Sequence, residues 1–226
     1  MHRLRRGIVV LLLIQSLAVA QDKVENNAGA PAEQYKAIVK EFNVSANANW
    51  NATTDEERQR IVAQIENLPL RLLELVEKHP KDPIALEALT QAVWQVNTTP
   101  WPVELVGEDS ARSKAFELLQ RDHIGSDKIG PLCQRISYGF CKEYESFLRS
   151  VVAKNPHEAV QATAYLSLAH FLNHRSLRVE LCKEQPELAK EFTGLYGVEY
   201  LAVLRRQDSE KVVREVEALL EQAAKK

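Results

Sequence analysis

Residues 72–93 read LLELVEKHPKDPIALEALTQAV, which is a helix end, a corner and a new helix start in one stretch. Leu72, Leu73, Leu75 and Val76 carry an apolar stripe up to Lys78. Asp82-Pro83 then sets a capping acid before a proline whose missing N–H costs nothing in a first helical turn. Ile84, Ala88, Leu89, Ala92, Val93 and Val96 recur at helical spacing on one face, and Trp94 widens it. Leu72, Val76, Lys78, Pro80, Ile84 and Ala88 return 76 residues later as Leu148, Val152, Lys154, Pro156, Val160 and Ala164. The shared unit is a helix end, a Lys-x-Pro corner and a helix start. Helical-repeat proteins join antiparallel helix pairs in this way, in units of about 34–47 residues, and two such units roughly fill the spacing. The predicted fold is all-α: stacked antiparallel helical hairpins, TPR-like or α-solenoid-like.

Strand signals are nearly absent on either side of this stretch. β-branched residues occur singly within helix-period patterns, and no hairpin dipeptide separates alternating runs. A first helix is expected over Ala32 to about Phe42, followed by a Thr/Asn-rich stretch over 43–53. Thr54 with Glu57 forms a capping box for a helix through Ile61, Val62, Ile65 and Leu68, and Pro69 kinks or restarts it. Pro100-Trp101-Pro102 forces an extended loop, and Asp109 or Ser110 caps a helix through Phe116 and Leu119. Gly125, Gly130 and Pro131 break the chain around residues 126–129. Helices are expected over 132–138 and 140–154, joined through Gly139, and Asn155-Pro156 opens a long one to about Asn173. Residues 177–191 give another, restarted near Pro186. In the last helix Val212, Val213, Val216, Leu219, Leu220 and Ala223 share a face.

The first twenty residues read as an address. Arg3, Arg5 and Arg6 precede an apolar run over 8–20, and Ala18-Val19-Ala20 is the small-x-small pattern of a signal-peptidase site, with the cut between Ala20 and Gln21. A spanning helix needs about 20 apolar residues, and Gly7 to Ala20 supplies fourteen before Gln21, Asp22 and Lys23. The expected organisation is a signal peptide over 1–20, a flexible lead-in over 21–31 and a helical domain over 32–226. The chain is thus expected to be exported to the periplasm, the cell envelope or the medium, and free of the membrane after cleavage. The 29 Lys and Arg less the three leader arginines leave 26 against 31 acids, a net of −5. Nucleic-acid binders carry clustered basic surface, so nucleic acid is not an expected partner.

No catalytic constellation stands out, and no cofactor is expected. The eight glycines are scattered, so there is no phosphate-cradling loop, and no G-x-S-x-G occurs. The cysteines are Cys133, Cys141 and Cys182, with no Cys-x-x-Cys. In an oxidising compartment Cys133 or Cys141 could pair with Cys182, or all three could pack as small hydrophobes. His170 and His174, at i and i+4, could present two ring nitrogens to one metal with Cys182 as a third ligand. The hydrolytic version of that spacing needs Glu after the first His, and Phe171 stands there. The alternative is a polar pair at an exposed helix end. Among Trp50, Trp94 and Trp101, Trp101 in its Pro-Trp-Pro loop is the candidate binding surface, and core or corner plugs are the other reading. Asn43, Asn51 and Asn97 begin N-glycosylation acceptor patterns.

FELLQRDHIGSDKIGPLCQR (116–135), LELVEKHPKDP (73–83) and FLRSVVAKNPHEAVQ (147–161) together resemble the helical N-terminal region of bacterial secreted redoxins. These are thiol–disulfide oxidoreductases of the thioredoxin-fold superfamily, and the resemblance covers most of residues 32–225. It implies a leader and a helical region ahead of a redoxin domain bearing Trp-Cys-x-x-Cys. No such motif and no thioredoxin-like βαβ pattern occurs in these 226 residues, so no catalytic residue carries over. Three readings follow. One is a non-catalytic interaction module that docks a redoxin or a redoxin's substrate through a concave helical face. The others are a redox-active protein using its own cysteines, and the N-terminal part of a truncated oxidoreductase.

Overall fold

The computed structural model describes residues 29–97 and 110–226, and the expected leader, the Ala20–Gln21 cut, residues 21–28 of the lead-in and the Pro100-Trp101-Pro102 loop lie outside them. The described residues form helices and no strand, so the fold is all-α. None of the described helices is long and apolar enough to cross a membrane.

In chain order the helices are α1 (Pro31–Asn51), α2 (Asp55–Glu66), α3 (Leu68–Lys78) and α4 (Ala85–Asn97), then α5 (Ala111–Leu118), a π-helical turn (Leu119–His123) and α6 (Gly130–Ile136). They continue with α7 (Lys142–Lys154), α8 (Glu158–Glu184), α9 (Pro186–Tyr196), α10 (Val198–Arg205) and α11 (Ser209–Ala224). Two capping signals, Thr54 and Ser110, act as expected. The Glu57 N–H donates to Thr54 Oγ1 at 3.2 Å and the Ser113 N–H to Ser110 Oγ at 3.2 Å. Asp208, which the sequence pattern did not single out, accepts from the Glu210 N–H at 3.0 Å to start α11.

Three boundaries depart from expectation. Helix α1 does not stop at Phe42 but runs through the Asn-rich segment to Asn51. Packing overrides propensity there, because Ala46 leans on the core and Ala52 behind it is buried. Helix α8 does not end near Asn173 but continues unbroken to Glu184, where Pro186 starts α9. A separate α10 follows Gly197, whose φ of +84° is a left-handed conformation that glycine adopts without strain.

Helices joined by a corner pack on each other: α3 on α4 and α7 on α8, with α11 laid along α8. Leu72 and Leu148, then Ala88 and Ala164, occupy buried positions at the 76-residue spacing. The corners themselves differ. Asp82 Oδ1 accepts the Ile84 N–H at 2.9 Å, with α4 starting at Ala85. Asn155 Oδ1 accepts the His157 N–H at 2.9 Å, with α8 starting at Glu158. Both are Asx turns, in which the side chain bonds the backbone two residues on, and the helix begins beyond the proline. The structural equivalents are therefore Asp82-Pro83 and Asn155-Pro156, so Pro80 has no counterpart and the first corner is three residues longer.

The main core runs from α1 to α8 and centres on Phe116, Tyr144 and Phe147, with ring centroids 5.4 and 5.1 Å from Phe116. A smaller cluster gathers Phe140, Val179, Leu201 and Leu204 under Phe192, Tyr196 and Tyr200. Phe140 is its hub, at 4.8 Å from Phe192 and 4.9 Å from Tyr196, and its carbonyl accepts the Tyr200 hydroxyl at 2.7 Å. Gly139 sits where chain and ring touch: a Cβ there would lie 2.1 Å from the Tyr144 ring. Buried Arg175 pairs with Glu145 between α8 and α7, and Arg149 bridges Glu145 to Glu215 of α11 at 2.7 Å.

Candidate functional site

The two corners flank one loop. The π-helical turn (119–123) and the turn after it (124–128) lie against the first corner, and between them is an open cleft of about 740 Å³. Pro80, Lys81, Asp82, Pro83 and Leu86 form one wall, and Arg121, Asp122, His123, Ser126, Asp127 and Lys128 the other. A π-turn adds a residue to the helical ring and often marks a functional site; here it ends α5 with Arg121, Asp122 and His123 at the cleft. The second corner holds that wall from behind. Asn155, 1% exposed, donates from Nδ2 to the carbonyls of Ile124 at 2.8 Å and Ser126 at 2.9 Å. Gln161 in turn donates to the Asn155 carbonyl at 2.7 Å, and Ser150 Oγ reaches Gln120 at 3.2 Å.

Three cations and three carboxylates line the cleft beside Pro80, Pro83 and Leu86, so its charges balance over a mixed polar and apolar wall. Arg121 grips Asp122 with two bonds of 2.8 and 2.6 Å, which holds the Asp122 carboxyl below the usual carboxylate range. Burial pushes the His123 imidazole down, with Asp122 opposing, and His123 Nε2 is buried without a hydrogen-bond partner. His123 is therefore held toward its neutral form. Such a lining offers donors and acceptors of both signs, which suits a peptide segment or a loop better than an anion or an apolar ligand.

The thiols lie elsewhere. Cys133, Cys141 and Cys182 are all free and buried. Burial pushes the Cys133 thiol up to about 12 and the Cys141 thiol up to about 12, the latter against the opposing charge of Arg112. Burial thus holds both as neutral thiols at neutral pH, and the thiolate is the reactive form. Arg112 itself is buried, 3.8 Å from Glu143.

The remaining sequence candidates are scattered. His170 and His174 do not stand at a helix end; α8 continues ten residues past His174 to Glu184. Cys182 does not join them, being about 12 Å farther along the same helix and turned into the core. No group of three or more His, Cys, Asp or Glu placed to hold a metal occurs among the described residues. Trp50 is 89% exposed, and Trp94 lies under the Arg135 guanidinium at 4.5 Å. Trp101 falls outside the described residues. The cleft itself went unread in the sequence, because its parts lie about 40 residues apart and are joined by the packing of α3 and α4 against α5 and the π-turn. The signal that could have found it was the pair of segments 73–83 and 116–135, distinctive in sequence yet without chemistry of their own.

The chain matches no family model, no curated protein and no solved structure.

Proposed function

We propose that this chain is an exported, non-catalytic interaction module of the cell envelope that docks a redoxin, or a redoxin's substrate, at the corner cleft. Its helical hairpins stack in a TPR-like or α-solenoid-like manner, and the leader is removed between Ala20 and Gln21. The observation that carries the reading is convergence: the two segments 73–83 and 116–135, which resemble the helical region of secreted redoxins, supply opposite walls of one solvent-open polar cleft. The placement of the thiols supports docking over thiol chemistry, since all three are buried and two are pushed to about 12. Capture from an envelope extract tests the reading. Wild-type chain should retain a protein with a thioredoxin-fold domain bearing Cys-x-x-Cys, and the double variant Lys81→Glu/Lys128→Glu should lose it. Equal retention by both, or capture of no redoxin-type protein, refutes the reading.

A further inference from the structure

Helix α8 carries one feature that the corner cleft leaves unexplained. Leu166, Leu177 and Leu181 are 41%, 55% and 42% exposed on it, an apolar stripe left open by the described residues. His170 and His174 stand inside that stripe, between Leu166 and Leu177. At about 100° per residue the five side chains fall within about 80° of arc, so they share a single face. Tyr138, 60% exposed, lies against the His174 ring with centroids 5.2 Å apart.

Side chains at i and i+4 on a helix are neighbours with Cβ atoms about 5–6 Å apart, close enough for two imidazoles to bind one ion. Two nitrogens are half of the four-coordinate shell that zinc takes, and among the described residues no third His, Cys, Asp or Glu joins them. A second copy of α8, running antiparallel across a two-fold axis at residue 172, completes the shell. That operation sets His170 against the partner's His174 and His174 against the partner's His170. The same axis brings Leu166 beside the partner's Leu177 on one flank, and the mirror pair on the other. The register that assembles four imidazoles therefore also brings Leu166 and Leu177 of the two copies together, while Leu181 lies beyond that contact. Symmetric pairing of this kind is self-complementary and closed.

We propose that His170 and His174 form half of a zinc-type metal site that joins two copies of this chain through α8. The stripe from Leu166 to Leu181 spans about 22 Å of helix, too little surface for a stable dimer, which needs about 1,200 Å² or more. Association is thus conditional on the ion. The imidazole set suits zinc and the neighbouring divalent ions copper and nickel, whereas calcium and magnesium prefer oxygen ligands.

The test is sedimentation of the untagged protein, purified from the compartment where it accumulates, against added zinc chloride. The protein should be monomeric in chelator and double its mass with zinc, saturating at one ion per two chains, with magnesium inert. His170→Ala, at an exposed position whose loss leaves the fold intact by circular dichroism, should remain monomeric at the same zinc. His79→Ala should dimerise like wild type. A monomer at saturating zinc, a dimer that persists in chelator, or zinc dimerisation unaltered by His170→Ala would each overturn the proposal. None of these outcomes depends on whether the corner cleft binds a redoxin.

Discussion

Replacing Asn155 by alanine isolates the clamp that holds the cleft's outer wall. The Asn155 side chain makes three hydrogen bonds, to the Ile124 carbonyl at 2.8 Å, the Ser126 carbonyl at 2.9 Å and the His157 N–H at 2.9 Å. The residue is 1% exposed, so water does not readily take over its partners. Each lost bond costs about 1 kcal/mol net, and more where a partner stays buried and unpaired, so the variant should lose about 3 kcal/mol. For a chain of this size that lowers the melting temperature by about 6–12 °C. Equilibrium unfolding in urea measures the loss, and amide exchange at Ser126 and Lys128 should accelerate even where the fold is intact. Asn155→Asp is the informative partner. It keeps the acceptor for the His157 N–H but sets carboxylate oxygens against two carbonyls, so it should be at least as damaging as alanine. A loss below about 0.5 kcal/mol, or an aspartate variant as stable as wild type, refutes the clamp.

Three further outcomes follow from the core. Because Cys133 and Cys141 are buried with thiols near 12, thiol reagents at pH 8 should modify them only as fast as the protein unfolds. Labelling in buffer as fast as in the urea-unfolded protein would show an accessible, ionised thiol instead. Burial pushes the Glu145 carboxyl up, and the Arg175 and Arg149 guanidiniums more than offset it, leaving it below its ordinary 4.5. A lowered folded pKa gives stability that is whole above the unfolded value and lost as pH falls through the folded one. Urea titrations below pH 4.5 should therefore show a decline that Glu145→Gln flattens. Gly139→Ala should cost about 1–3 kcal/mol or more, because its Cβ meets the Tyr144 ring at 2.1 Å and that ring is already packed on Phe116; unchanged urea stability would contradict this packing.

Most of the fold was legible because its signals are local. Thr54 and Ser110 cap the helices they precede, and the apolar period of α3, α4 and α7 is the period of their buried faces. What escaped was set by partners distant in sequence. The Asn-rich half of α1 looks like a loop until Ala46 is placed on the core, and α8 looks like two helices until α11 is laid along it. The 76-residue match located two real corners but paired the wrong prolines, since an Asx turn is defined by the residue two positions on and not by the lysine behind it. The cleft was beyond reach for a similar reason: Lys81 and Lys128 share it only through tertiary packing, and Asn155 is an unremarkable corner residue until it is seen bonding a loop about 30 residues away.

The claim that the corner cleft is where a redoxin or its substrate docks is tested most directly by contact. A photo-crosslinking amino acid placed at Lys81 in the living cell should yield an adduct whose partner, identified by mass spectrometry, is a Cys-x-x-Cys thioredoxin-fold protein or a protein that such an enzyme reduces. The same probe at Leu70, exposed on α3 outside the cleft lining, should yield none. No adduct from Lys81, or the same adduct from both positions, would contradict the account.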